Sequence, residues 1–319
     1  RGHSSTQSRE ETEPRVTVGE TNKRKPGKRQ VVKRVVTNLS ALGGEVNQIL
    51  MSPDLHLYMS DARNHGEPSP TEPIEPNSNR VAMNCPEWRE WVQAKEEENE
   101  ALRRKAVMRL VDILPGMHII KSKYVFKIKK KYGKITRYKA RLVALGYDQV
   151  VDAALTFSPV VKPNTVRLLL ALAQVNKMQI HQIDISNAFC CADVEGEVHI
   201  HAPDGMEIPE GKCFKLDKAL YGLKQSPRLF NKTLDKTLKR MNFAPTISDP
   251  CLYQRVSGGK LHLILVYVDD ILIASESEEY IEILKEQIKK EYDITDLGPL
   301  DNFLNAKIRQ YKHKITMSQ

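Results

Sequence analysis

The most regular hydrophobic pattern in the chain runs from Leu261 to Ser275. A mostly apolar run to Val268 is followed by two adjacent acids, Asp269 and Asp270, and then by a second apolar run. β-Branched and aromatic residues are frequent in both runs, which favours two strands over a helix. The pattern therefore predicts a hairpin with both carboxylates at or near its turn.

This position is costly for acids, because a carboxylate beside buried strands destabilises the fold unless it is paired or binds a metal. Two neighbouring carboxylates also repel each other, which raises their affinity for protons unless a cation lies between them. A solvated Asp-Asp turn is the alternative, but the apolar flanks and the lack of Gly and Asn count against it. We therefore treat Asp269 and Asp270 as candidate ligands of a divalent cation.

A third acid lies in similar surroundings. Asp184 belongs to a strand-like segment from Ile180 to Phe189, with Ile183 and Ile185 as its apolar neighbours. Two strands that carry three acids in apolar surroundings are the constellation for a two-metal site, in which the ions hold the attacking and leaving oxygens of phosphoryl transfer. Mg²⁺ prefers carboxylates together with substrate phosphates, so the set points to Mg²⁺.

A basic, strand-rich block precedes these acids. Ser122 to Lys131 alternates apolar residues with lysine, and Ile135 to Gly146 returns after a turn. A two-stranded ribbon with cations on one side, Lys139 and Arg141 among them, suits a triphosphate or a template backbone. The alternative is an ordinary solvated strand face.

Helical periodicity appears in four other stretches, over 85–105, 164–177, 228–241 and 278–292. Trp88 and Trp91 lie three residues apart in the first of them, which predicts that both pack on one face.

Composition adds weaker constraints. The 319 residues suffice for about two domains, and 49 Lys+Arg against 40 Asp+Glu favour a polyanionic partner. The five cysteines show neither a CxxC pair nor zinc-site spacing, which is typical of free thiols in a reducing compartment. No apolar run is long enough to cross a bilayer, so we expect no membrane partner.

Residues 1–80 are poor core formers, with a basic run over 23–34 and a segment rich in Pro, Glu, Ser and Asn over 66–79. The composition predicts a disordered, basic linker over 1–80 and a compact domain over 81–319. The basic run is interpreted as a nuclear import signal or a nucleic-acid tether, with a solvated tail as the alternative. Because the chain starts with Arg1, we expect it to be a piece of a longer precursor.

Seven blocks of the sequence resemble a known family, in that family's order. The Asp269-Asp270 hairpin with Asp184 upstream resembles reverse transcriptases, and more narrowly the polymerase of copia-type LTR retrotransposons, over roughly residues 85–319. The blocks are RYKARLVALGY (137–147), TFSPVVKPNTVRLLLALA (156–173), HQIDISNAF (181–189), KALYGLKQSPR (218–228), SDPCLY (248–253), YVDDILIAS (267–275) and DLGPLDNFL (296–304).

The resemblance implies an RNA-directed DNA polymerase of a Pol polyprotein, which extends a primer 3′-hydroxyl with dNTPs. It implies an α+β fold, with the fingers and palm of a right-hand polymerase and an antiparallel palm sheet with helices packed on one face. The domain would end near a primer-grip hairpin at 300–308, without a thumb or an RNase H domain.

The resemblance also assigns site residues. Asp184, Asp269 and Asp270 match the catalytic metal ligands, with the Ile185 carbonyl as a further ligand, for two Mg²⁺ ions or, alternatively, Mn²⁺. Phe189 matches the bulky residue that excludes a 2′-hydroxyl, with a core phenylalanine as the alternative. The full set matched to dNTP or template binding is Lys139, Arg141, Phe189, Tyr221, Gly222, Lys224 and Gln225.

The implied partners are an RNA or DNA template with its primer, dNTPs, and the integrase and RNase H parts of the polyprotein. The implied location is a cytoplasmic virus-like particle, with the nucleus as the second choice. A decayed nucleic-acid-binding remnant is the main alternative function, and another two-metal phosphotransferase such as a nuclease is a weaker one.

The sequence departs from the family pattern at several places. The stretch 150–155 (VVDAAL) is shorter than usual, family glycines are replaced at Ala192, Asn242 and Asn305, and His199 replaces a usual tyrosine. A side chain costs about 1 kcal/mol or more wherever the replaced glycine held a positive φ. These departures miss the three acids, so they bear on stability and activity more than on the fold.

Overall fold

The computed structural model describes residues 73–131 and 133–318. The predicted basic run and nearly all of the predicted linker lie outside the described residues, and the domain boundary near residue 80 stays a prediction. The described residues belong to one compact unit, which starts at Pro73.

Five α-helices occur in the described part of the chain. They are α1 (Asn79–Met83), α2 (Trp88–Arg104), α3 (Pro163–Val175), α4 (Ser226–Arg240) and α5 (Glu278–Lys289). The helices α2 to α5 confirm the four predicted from periodicity, and α1 was not predicted. Within the described ranges, no helix has the length and apolar character needed to cross a membrane.

Fifteen strands accompany these helices in the same residues. They are β1 (Met108–Asp112), β2 (Ile119–Ile120), β3 (Ser122–Lys131), β4 (Lys134–Ala144), β5 (Gln179–Ile185), β6 (His199–Ile200), β7 (Lys212–Leu216), β8 (Ala244–Pro245), β9 (Leu252–Ser257), β10 (Lys260–Tyr267), β11 (Asp270–Ser275), β12 (Ile294–Pro299), β13 (Asn302–Phe303), β14 (Ala306–Tyr311) and β15 (Lys314–Ser318).

The strands form four sheets. The largest is six-stranded and antiparallel, in the order β12-β5-β11-β10-β9-β8. A four-stranded sheet has the order β1-β7-β6-β2, the strands β13-β14-β15 form a third sheet, and β3 and β4 form a two-stranded ribbon. The mixed α and β architecture confirms the coarse part of the predicted fold class.

The predicted hairpin lies in the middle of the six-stranded sheet. β10 and β11 pair from His262 opposite Ser275 to Tyr267 opposite Asp270. Both faces of the sheet are buried. The two strands are therefore nearly continuous apolar runs and do not alternate apolar with polar residues.

The predicted packing of helices on one face of this sheet is wrong. α4 and α5 cover the face that contains Ile264 and Ile271, whereas α3 packs on the other face, against Leu265 and Leu272. Since adjacent residues of a strand point to opposite faces, an unbroken apolar run requires cover on both sides.

The edge strand β12 contains residues that are typical of a turn. Leu297-Gly298-Pro299 indicates a turn from sequence alone, but residues 294–299 pair with β5. A bulge between Asp296 and Gly298 accommodates the glycine, whose φ is +72°. Pro299 is tolerated because it ends an edge strand.

The ribbon of β3 and β4 packs on α2 through aromatic rings. Trp91 is fully buried, with ring centroids 5.2 Å from Phe126 and 4.7 Å from Tyr138. The prediction that both tryptophans pack is wrong for Trp88, which is 44% exposed.

The end of the ribbon docks on a distant loop through a backbone crossing. The Ala144 N–H donates to the Tyr221 carbonyl at 2.8 Å. A Cβ added to Gly222 would lie 2.0 Å from the Ala144 carbonyl oxygen, and one added to Gly146 would lie 2.1 Å from the Gly222 carbonyl oxygen. The two backbone segments therefore approach too closely for any side chain at either glycine.

The crossing makes a stability prediction. We expect Gly146→Ala to lower the free energy of unfolding by about 2–3 kcal/mol, the upper range for overpacking, because the clash is with backbone. Urea unfolding followed by circular dichroism measures the change. Gly258→Ala is the comparison variant: no atom lies within 4 Å of an added Cβ, so only its φ of +59° opposes a side chain, at a cost of about 1 kcal/mol. Equal losses in the two variants would contradict the importance of the crossing.

Candidate active site

The structure brings the three predicted acids to one end of the six-stranded sheet. Asp184 on β5 lies directly opposite Asp270 on β11, and Asp269 occupies the turn before it. Directly opposed residues of an antiparallel pair have their Cβ atoms about 5 Å apart on the same face. The Ile185 N–H donates to the Asp269 carbonyl at 2.9 Å, which ties the turn to β5.

The turn that carries Asp269 is strained. Val268 and Asp269 are its two central residues, and Val268 has a φ of +55°. Glycine normally takes this first position when a two-residue hairpin has a positive φ there. A β-branched residue with positive φ is an outlier whose strain the surrounding structure must hold.

The pKa values of Asp184 and Asp270 are raised. Burial raises the pKa of Asp184, and the charges of Asp269 and Asp270 raise it further, while Lys139 and Arg141 oppose the shift. Burial also raises the pKa of Asp270, with a further contribution from Asp269. The site therefore concentrates negative charge that the fold does not neutralise.

One neutral side chain stabilises the ionised form of Asp270. Gln182 is nearly buried, and its Nε2 donates to Asp270 Oδ1 at 2.9 Å. This hydrogen bond counteracts the rise in the pKa of Asp270. Gln182 was not among the predicted site residues, because a polar residue in a strand gives no sign of its partner until the strands are paired.

Across the described ranges, no three His, Cys, Asp or Glu side chains are arranged to hold a metal ion. The chemistry of the three acids nevertheless fits a hard divalent cation, which takes oxygen ligands and relieves repulsion between carboxylates. The metal-ligand roles of Asp184, Asp269, Asp270 and the Ile185 carbonyl stay predictions.

Two cations of β4 face the acids. Burial lowers the pKa of Lys139, and its side chain makes no hydrogen bond or ion pair with the described residues. The Arg141 guanidinium lies 4.8 Å from the centre of the Tyr221 ring, and its Nε is buried without a hydrogen-bond partner there. Lys139 and Arg141, both matched to dNTP or template binding, are therefore close to the acids and open to an anionic ligand.

An aromatic pair connects these cations to the acid-bearing strand. The rings of Phe189 and Tyr221 have centroids 4.6 Å apart, and the Phe189 ring is 6.3 Å from that of Phe230. Phe189 also lines a cavity of about 330 Å³, which reaches Val268. The structure thus brings Phe189 and Tyr221 together beside the acids.

The remaining predicted residues have partners inside the protein. The Lys224 ammonium donates to the carbonyls of Tyr147 and Gln149, at 3.1 and 2.9 Å. Gln225 is buried and donates to the Glu195 carbonyl. Gly222 faces the chain's own backbone at the crossing, so the template roles of these three residues stay predictions.

Glu98 on α2 is a further member of the site that sequence reasoning missed. It is buried and accepts a hydrogen bond from the Leu142 N–H at 3.1 Å. Burial raises its pKa, while the Leu142 N–H and the charges of Lys139 and Arg141 lower it. Its helical spacing from Trp91 and Leu102 was the available signal, but it lies within a run of acids over 96–100 that was assigned only to an amphipathic helix.

The site has acids on an antiparallel sheet and, opposite them on a β-ribbon, cations without ion pairs among the described residues. This arrangement suits phosphoryl transfer. The family model for reverse transcriptase (RNA-dependent DNA polymerase) matches residues 105–319. This match covers more than half of the chain, and the chain therefore belongs to the reverse transcriptase family.

Two curated relatives narrow the family. A retrovirus-related Pol polyprotein from transposon TNT 1-94 of Nicotiana tabacum is 38% identical over 253 residues, which is 77% of this chain and 19% of the relative. The Pol polyprotein from transposon RE2 of Arabidopsis thaliana is 34% identical over 213 residues, which is 64% of this chain and 14% of the relative. These plant relatives confirm the predicted copia-type resemblance, and the chain spans a fifth or less of their length.

A solved structure, apo telomerase from Candida tropicalis, covers 72% of this chain and 60% of its own, at 11% identity and a TM-score of 0.39. This similarity is too low to support an argument about fold or function.

The crowding of the acids makes a prediction about pH. Because folding raises the pKa of Asp184, ionising this carboxyl costs more free energy in the folded state than in the unfolded chain, and this difference lowers stability as the pH rises above the unfolded-state pKa. We expect Asp184→Asn to raise the free energy of unfolding at pH 7, and the gain to vanish below the unfolded-state pKa of about 3.9. Urea unfolding in metal-free buffer at both pH values measures it.

Asp204→Asn is the control for this comparison, because Asp204 is exposed and lies in a loop. A loss of stability in Asp184→Asn at pH 7 would show that the carboxylate has compensating partners and that the crowding argument is wrong.

Proposed function

We propose that this reverse transcriptase domain is an active RNA-directed DNA polymerase, which extends a primer 3′-hydroxyl with dNTPs. The observation that supports this best is the register that sets Asp184 opposite Asp270, with Asp269 in the adjoining turn. Two cations without ion pairs in the described residues, Lys139 and Arg141, face this cluster and supply the opposite charge.

The cations would bind the incoming triphosphate. The Arg141 guanidinium is held by its stacking on Tyr221, which leaves its N–H groups preorganised for phosphate oxygens. Preorganised donors aimed at developing negative charge are among the largest contributions to catalysis. Charge on the β- and γ-phosphates would thereby be neutralised as pyrophosphate leaves.

The acids would hold two Mg²⁺ ions, with Mn²⁺ as the alternative, through Asp184, Asp269, Asp270 and the Ile185 carbonyl. When bound, such ions act as Lewis acids that stabilise the attacking and leaving oxygens. The bond that forms joins the primer 3′-oxygen to the α-phosphorus, and the bond that breaks releases pyrophosphate. Gln182 would keep Asp270 oriented while the site fills.

The relatives are Pol polyproteins, so the proposed partners are the other parts of such a polyprotein, integrase and RNase H, with a primed template as substrate. The proposed location follows from this, a cytoplasmic virus-like particle, with the nucleus as the second choice.

The replaced glycines give little support to the alternative that the chain is a decayed nucleic-acid-binding remnant. Asn242 and Asn305 both have a φ of +62°, and asparagine tolerates the left-handed region better than most residues. Ala192 has a φ of −108°, so a glycine is not required at that position. The backbone cost that these replacements predict is therefore small.

The decisive prediction concerns catalysis. We expect Asp184→Asn and Asp269→Asn each to reduce primer extension by a factor of about 10³ or more, since each removes a charge at the reacting centre. Extension of a labelled primer on an RNA template, with dNTPs and Mg²⁺, measures the rate. Asp204→Asn is the matched control and should extend at the wild-type rate.

The same assay separates the alternatives. Template-primer binding without incorporation by the wild-type chain would favour the remnant, and Mg²⁺-dependent shortening of the labelled strand would favour a nuclease. Extension that survives in Asp184→Asn would overturn the metal assignment.

A second prediction concerns the choice of sugar. If the Phe189 ring excludes the 2′-hydroxyl, Phe189→Val should raise rNTP incorporation relative to dNTP incorporation by about tenfold to a hundredfold. Single-nucleotide extension with each substrate gives the ratio of kcat/KM values. Phe230→Val removes a neighbouring core ring and is the control. Equal relaxation in both variants would mean that Phe189 acts only through packing.

A further inference from the structure

A buried acid lies in the middle of the face by which α2 packs on the β3–β4 ribbon. The buried residues of α2 follow a helical repeat, in which Glu98 falls between Ala94 and Leu102. Ala94 and Leu102 belong to the same apolar core as Phe126 and Leu142 of the ribbon. The packing alone would therefore favour an apolar side chain at this position, yet Glu98 is only 6% exposed.

The partners of Glu98 come from two different elements. A buried carboxylate is costly, so a fold keeps one only where hydrogen bonds or charges compensate it. The Glu98 carboxylate accepts one hydrogen bond from the Leu142 N–H at 3.1 Å and a second from the Asn187 side chain. Leu142 adjoins the cation Arg141 on β4. Asn187 lies three residues after Asp184, in the turn that follows β5. One side chain thus joins the cation-bearing ribbon to the turn beside the acids.

A cavity of about 460 Å³ lies where these elements meet. Its lining includes Glu98 from α2, Lys139 from β4, and Ser186 and Asn187 from the turn. Removal of the Glu98 carboxylate would enlarge this cavity and leave both neighbouring elements without their hydrogen bond to α2.

The C-terminal end of α2 is fixed to the edge of the six-stranded sheet. The Lys105 ammonium, which ends the helix, is largely buried and pairs with Asp293 Oδ2 at 2.9 Å. The Asp293 carbonyl in turn accepts from the Ser186 N–H at 2.8 Å, next to Asn187. α2 is therefore attached to the sheet at its end and to the ribbon along its length, with Glu98 between the two attachments.

We infer that Glu98 is a positioning residue, which sets the cations of β4 relative to the acids through its hydrogen bonds to Leu142 and Asn187. It acts through Lys139 and Arg141 and has no contact with the substrate of its own. The inference deepens the proposed polymerase function and rests on it, because those two cations would hold the triphosphate. A displacement of about 1 Å far from the reacting atoms can cost about a hundredfold in rate.

The alternative is that Glu98 only satisfies a backbone donor where the helix meets the ribbon. A Leu142 N–H without an acceptor would then lower the stability, but the folded molecules would keep their affinity for substrate. This alternative does not account for the second hydrogen bond, which goes to a turn outside the ribbon.

The test measures the affinity for a fluorescently labelled dNTP by anisotropy. The chain carries Mg²⁺ and a template-primer whose primer ends in a dideoxynucleotide, so that no bond can form. We expect Glu98→Ala to weaken dNTP binding by about tenfold or more, the scale of one hydrogen bond to a charged group. Glu98→Gln should stay close to the wild-type affinity, because its carboxamide still accepts from Leu142 and can pair with Asn187. Equal losses in the two variants would overturn the positioning by hydrogen bonds.

Steady-state extension of an ordinary primer gives a second readout. In Glu98→Ala the KM for dNTP should rise by about tenfold, whereas a merely structural defect lowers the active fraction and leaves KM unchanged. Glu90→Gln is the matched control, because it removes the same charge from an exposed position on the same helix. It should keep the wild-type kcat and KM.

Asn187→Gly breaks the connection from its other end and decides the question if Glu98→Ala does not fold. Glycine suits the φ of +51° at this position. We expect weaker dNTP binding again, and a double variant that loses less than the two single losses combined, because both changes remove one connection. Wild-type affinity in Asn187→Gly would overturn the inference.

The outcomes separate this inference from the polymerase function. A wild-type chain that binds dNTP but does not extend the primer would overturn the polymerase function, while the affinities of the variants would still decide the role of Glu98. Extension by the wild-type chain, with unchanged dNTP affinity in a Glu98→Ala variant that circular dichroism shows to be folded, would overturn the inference alone.

Discussion

The main constraint on this structure is that three carboxylates must be held together at the end of an apolar sheet. Repulsion and loss of hydration both oppose this, and the pKa values of Asp184 and Asp270 are raised as a result. The arrangement is kept by the antiparallel register of β5 with β11, which is anchored by side chains buried on both faces of the sheet. Hydrophobic burial is non-directional, but strand register converts it into a fixed position for each acid.

The opposing charges come from a different sheet, and aromatic packing sets their position. Arg141 stacks on Tyr221, Tyr221 packs on Phe189, and Phe189 lies five residues after Asp184 in the sequence. The backbone crossing between Ala144 and Gly222 fixes the same ribbon end from the other side. Because no direct ion pair joins acids to cations among the described residues, a space with opposite charge on its two walls remains for a charged ligand.

Sequence reasoning succeeded where local pattern determines structure. The apolar run around Asp269 predicts strands, alternation predicts the ribbon, and the helical periods predict four helices. It failed where a residue's role depends on a distant partner. Glu98 and Gln182 look like solvated polar residues until tertiary packing buries them. Gly298 and Pro299 are typical of a turn, and only the neighbouring β5 makes them part of a strand. Resemblance identified Gln225, but not its internal hydrogen bond.

Among the residues with a positive φ, asparagines tolerate this conformation, whereas Val268 is strained beside the candidate active site. Asn187, Asn242 and Asn305 occupy the left-handed region at little cost, because their short polar side chains suit it. Val268 is the one β-branched residue with a positive φ in the described parts of the chain, and it adjoins Asp269. A strain of about 1–3 kcal/mol persists only where the surroundings over-determine the conformation. Here the hydrogen bond from Ile185 to Asp269 and the apolar strands on either side do so. The chain therefore keeps this unfavourable backbone conformation beside the crowded acids, where a relaxed turn would move a carboxylate out of the cluster.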